Sequence, residues 1–136
     1  MTMGDRIAAE ALALVGVPFR LRGRVPATGL DCVGLVLTAL ARAGVRVTEP
    51  PGYGLRGTGQ ARAEARLQAA GLVPVEGERS GDVLLTQSGP MQLHLMIRAA
   101  AGHVHAHAGL GRVVLMPPPA PWPVLGLWRA AEMESD

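Results

Sequence analysis

At 136 residues the chain suffices for one compact domain, taken as residues 1–136, and is too short for two ordinary ones. With 49% hydrophobic residues it can build a core, so a disordered tail or linker is excluded. The net charge is only +2, all thirteen basic residues are arginines in no run, and the aromatics are few, which argues against a nucleic-acid partner.

The opening stretch places Ile7, Ala8, Ala11, Leu12 and Val15 at helical spacing, and Gly16 and Pro18 end the pattern. Asp5 and Glu10 interrupt it and no cleavage site follows, so a helix is expected here and not a signal peptide. The expected location is therefore the cytoplasm as synthesised, unless another agent carries the protein out. Residues 19–30 hold turn formers and read as a loop. From Cys32 to Gly44 apolar residues leave no polar face, predicting a helix buried on nearly all sides. A second loop, "EPPGYGLRGTG", precedes a small helix, "QARAEARLQAAG", with Ala63, Leu67 and Ala70 inward and Gly71 as its stop.

After the turn chemistry of "EGERSGD" the period changes to that of strands, expected near 82–87, 92–99, 102–108, 111–116 and 124–130. Helices first and strands afterwards predict an α+β fold, with N-terminal helices packed on a mostly antiparallel sheet of five to six strands. No membrane span is expected. The long uncharged stretch from Val113 to Trp128 is broken by five prolines.

The chemistry-bearing residues are one thiol and four imidazoles. Cys32 is the only cysteine, so it has no internal disulfide partner, and it stands at an expected helix N-terminus, where dipole and orphan N–H groups lower a thiol pKa. Buried packing is the bland alternative for a lone cysteine. His94 lies in "QLHLMIR", and His103, His105 and His107 alternate in "GHVHAHA", so those three share one strand face. In a hairpin His94 would meet one of them across the ladder. A thiol nucleophile needs such an imidazole to take and return its proton, and a third group to hold the imidazole's tautomer.

Four segments carry a resemblance: "GLDCVGLV", "SGDVLLT", "HLMI" and "VHA". They resemble, in order and on the expected elements, the motifs of the NlpC-type cell-wall cysteine peptidases of the papain-like superfamily. His94 follows Cys32 by 62 positions and His105 follows His94 by 11, spacings similar to the family's. The "PPGY" segment, Pro50 to Tyr53, and the small size look most like the subgroup encoded with phage tails and gene-transfer particles. The resemblance implies Cys32 as nucleophile, His94 as general base and His105 as the residue that orients it. It implies hydrolysis of peptidoglycan stem peptides at a γ-D-glutamyl–diaminopimelate bond, with no cofactor. Val33 stands where the family has serine, Phe19 where it commonly has tyrosine, and Leu95-Met96 where it has Val-Gly. Two other readings stand beside this one: a zinc hydrolase built on the histidines, and a non-catalytic papain-like domain for tail assembly or wall binding.

Overall fold

The computed structural model describes residues 1–47, 55 and 57–131. The Pro50–Tyr53 segment lies outside the described residues. Helix α1 runs Met3–Ala13 and opens with a capping box, in which Thr2 and Asp5 each accept from the other's backbone N–H. It buries Ile7, Ala8 and Ala11. Leu12 and Val15, expected inward, are 40% and 43% exposed. The helix ends at Ala13, and Leu14 turns into the core in their place.

The expected loop at 19–30 contains a two-residue ladder, β1 (Arg24–Val25) with β2 (Gly29–Leu30), too short to leave a period in sequence. It delivers the chain to α2, Cys32–Arg42. Asp31 is the N-cap of α2; its Oδ1 accepts from Gly34 N–H at 2.8 Å and from the Arg24 guanidinium at 2.7 Å. Gly34 lies so close to the Gly23 carbonyl that a Cβ there would collide with backbone, so the first turn of α2 is pressed onto the β1 loop. No residue from Cys32 to Leu40 is fully exposed, as expected of this helix. Helix α3, Gln60–Ala69, buries Ala63 and Leu67, with Ala70 buried just beyond its end, before Gly71 turns left-handed.

The main sheet has six strands: β3 (Leu72–Val75), β4 (Val83–Gly89), β5 (Gln92–Ala99), β6 (Gly102–His107), β7 (Arg112–Met116) and β8 (Val124–Ala130). Their order is β3-β8-β4-β5-β6-β7 and every pairing is antiparallel. The four-residue β3 was not expected; Pro74 obscures it in the sequence and is tolerated because the strand sits at the sheet edge. One sheet face carries Leu85, Leu95, Ile97, Val104, Ala106 and Val113 into the core shared with α1 and α2. At about 25 cal/mol per Å² this burial is the main source of stability. The far face carries Leu84, Thr86, His94, Met96, Arg98, His103 and His105, most of them buried as well.

The Gly-Asp segment before β4 is anchored electrostatically. Asp82 is fully buried and receives a two-pronged bond from Arg129 at 2.7 and 2.8 Å. Arg129 also donates to the Gly77 carbonyl, tying the 77–82 turn to β8. No helix among the described residues is long and apolar enough to cross a membrane.

Candidate functional site

Strands β5 and β6 pair only next to their turn, with Ile97 opposite Val104, Arg98 opposite His103 and Ala99 opposite Gly102. Continued, that register would set His94 opposite His107, but the ladder stops at Ile97. Helix α2 packs against both strands and starts at Cys32.

Cys32, His94 and His105 line one cleft of about 730 Å³, with Phe19, Leu55 and Trp122 among its walls. His94 does not meet its ladder partner. It reaches diagonally, and its Nε2 lies 3.0 Å from His105 Nδ1, the two rings nearly perpendicular. This leaves His94 Nδ1 as the ring nitrogen that His105 does not engage. The other histidines of β6 have bonds of their own, although His107 also lines the cleft with its ring centre 5.4 Å from that of His105. His103 bonds Glu78 at 2.9 Å, and Glu78 also holds Arg98 at 2.6 Å. His107 Nδ1 accepts from the Leu110 N–H at 3.0 Å. Among the described residues no group of three or more His, Cys, Asp or Glu is arranged to hold a metal ion.

Trp122 was not singled out in the sequence. It comes from the proline-rich segment between β7 and β8 and stands edge-on to both His94 and His105, at 5.3 and 5.4 Å between ring centres. A lone tryptophan in a proline tract gave no periodic signal; only the return of that segment over the far face brings it to the histidines. Met96, at a position read as a departure, is fully buried on the same face.

The electrostatics depart from the expected low-pKa thiol. Burial pushes the Cys32 thiol up to about 12, and the Asp31 carboxylate adds to this; the N–H groups of Leu95 and Val33 and the charge of Arg24 act the other way but do not prevail. The helix N-terminus is present, yet its cap is an anion beside the sulfur. The residue keeps only a partly exposed edge at the cleft. Burial likewise holds His94 down to about 3, helped by His105 and His107, and His105 down to about 4. At neutral pH the site therefore rests as a neutral thiol beside neutral imidazoles.

The family model described as NlpC/P60 family matches residues 16–116, which include all three of these residues. The chain belongs to the NlpC/P60 family. Solved structures agree in fold. NlpC1 from Trichomonas vaginalis superposes with a TM-score of 0.70 at 19% identity, covering 95% of this chain and 44% of that one. The peptidoglycan hydrolase RipB from Mycobacterium tuberculosis matches with a TM-score of 0.60 at 21% identity, covering 93% and 63%. RipD from the same organism, described as a non-catalytic NlpC/p60 domain protein adapted to peptidoglycan binding, matches with a TM-score of 0.60 at 17% identity, covering 96% and 98%. This NlpC/P60 chain thus spans less than half of the T. vaginalis protein. No curated protein matches it by sequence. The family accounts for the α+β papain-like architecture; its solved members include both hydrolytic and non-catalytic proteins.

Proposed function

We propose that the chain is a cysteine peptidase acting on peptidoglycan stem peptides, with Cys32 as nucleophile, His94 as general base and His105 as its orienting partner. The observation that carries this is the 3.0 Å bond from His94 Nε2 to His105 Nδ1, which occupies one ring nitrogen and leaves the other for the thiol in the shared cleft. Because the pair rests neutral, proton transfer accompanies attack and does not precede it. His94 takes the thiol proton as the sulfur adds to the carbonyl carbon. The Cys32 N–H, in the first turn of α2 and without an intrahelical partner, is placed to receive the oxyanion. The imidazolium then protonates the leaving amine, and a water deprotonated by His94 hydrolyses the thioester and restores the thiol. The bond assigned is the γ-D-glutamyl–diaminopimelate linkage, on the family resemblance. Association with a phage tail or gene-transfer particle is proposed on the resemblance of the Pro50–Tyr53 motif.

A second reading is favoured by the raised thiol and by the likeness to RipD: a domain that binds wall peptide without cleaving it. Incubation with purified muropeptides, read by mass spectrometry, separates the two. Cleavage by the wild type and none by Cys32→Ser or His94→Gln, with circular dichroism unchanged, supports the peptidase. Binding without turnover by the wild type supports the alternative.

A further inference from the structure

The hydrogen-bond chain that starts at His94 does not stop at His105. His105 Nε2 lies 2.8 Å from the Sδ of Met116. Met116 is on β7, opposite His103 in the ladder, and its side chain reaches diagonally along the same face to the ring of His105. A thioether sulfur carries no hydrogen, so it can only accept. The proton in that contact therefore belongs to His105 Nε2. A neutral imidazole with Nε2–H has its lone pair on Nδ1, so His105 Nδ1 accepts, and the 3.0 Å bond is donated by His94 Nε2–H. The lone pair of His94 is then on Nδ1, the nitrogen left for the thiol. The opposite assignment would set the lone pair of His105 Nε2 against those of the sulfur, and would spend the basic nitrogen of His94 on His105. Trp122, edge-on to both rings at 80° and 87°, helps to hold the ring planes that this chain requires.

We propose that Met116 is a positioning residue that fixes the tautomers of His105 and His94 and so delivers the basic nitrogen of His94 to Cys32. The catalytic part of this inference rests on the peptidase reading, whereas the tautomers are a property of the resting protein. The test is nitrogen-15 labelling of the histidines and long-range proton–nitrogen NMR, which distinguishes protonated from bare ring nitrogens, with His→Gln variants for assignment. The wild type is expected to show Nε2–H and bare Nδ1 on both His94 and His105. Met116→Leu keeps the volume and removes the acceptor. It should populate the second tautomer and lower kcat about fivefold, the factor one neutral hydrogen bond carries, with KM unchanged. Met116→Gln, whose amide oxygen can accept, should restore both. A wild-type His105 protonated on Nδ1 overturns the proposal even if Met116→Leu fails to fold, and so does a folded Met116→Leu with wild-type tautomers. Expected tautomers in a wild type that cleaves nothing would uphold the chain of bonds and sink the peptidase reading instead.

Discussion

Lowering the pH from 7 to 5 should destabilise this protein through His94. Burial holds the folded pKa of His94 down to about 3, against an ordinary 6.5 in the unfolded chain. Below pH 6.5 the unfolded chain binds a proton that the folded protein refuses, so stability falls as pH falls and goes on falling until about pH 3. At pH 5 the unfolded group lies about 1.5 units below its pKa, and at about 1.36 kcal/mol per unit the loss is about 2 kcal/mol. That magnitude depends on the unfolded value and scarcely on how far below 5 the folded one lies. Urea denaturation at pH 7 and pH 5 measures it, with His94→Gln as the control, since the remaining titrating groups are common to both proteins. The wild type should lose about 2 kcal/mol more than the variant between the two pH values. Equal losses would mean that His94 is solvated and charged at pH 5, which a closed histidine pair does not allow.

Other measurements test the groups around the histidine pair. The raised thiol predicts that Cys32 reacts with iodoacetamide more slowly at pH 7 than free cysteine; faster reaction would restore the expected low-pKa thiolate. Trp122→Ala removes two edge-on ring contacts worth about 0.5–1.5 kcal/mol each and should speed alkylation of Cys32, measured by mass spectrometry against the wild type. Asp82→Ala leaves Arg129 buried without its carboxylate and should cost about 3–5 kcal/mol in urea denaturation, with any activity loss following the unfolded fraction. Muropeptide cleavage by the thiol should survive EDTA, whereas loss of activity with recovery on zinc addition would favour a metal site on the histidines.

Much of this was legible in the chain because it is local. The spacing of Ile7, Ala8 and Ala11, the glycine stops at Gly44 and Gly71, and the alternation through β4 to β8 each express a period or a turn that neighbouring residues set among themselves. The order of Cys32, His94 and the β6 histidines could be read in the same way, since side-chain alternation alone puts His103, His105 and His107 on one face. What alternation could not tell is which of the three meets His94. A regular hairpin register points to His107, but the β5–β6 ladder stops at Ile97 and it is His105 that takes the contact. Trp122, Met116 and Glu78 likewise have no local signature, since each becomes a neighbour of a histidine only through the stacking of distant segments on the far face. The thiol pKa belongs to the same class. A helix N-terminus is written in "DCVG", but desolvation is a property of everything packed around the sulfur, and in the folded protein it raises the thiol.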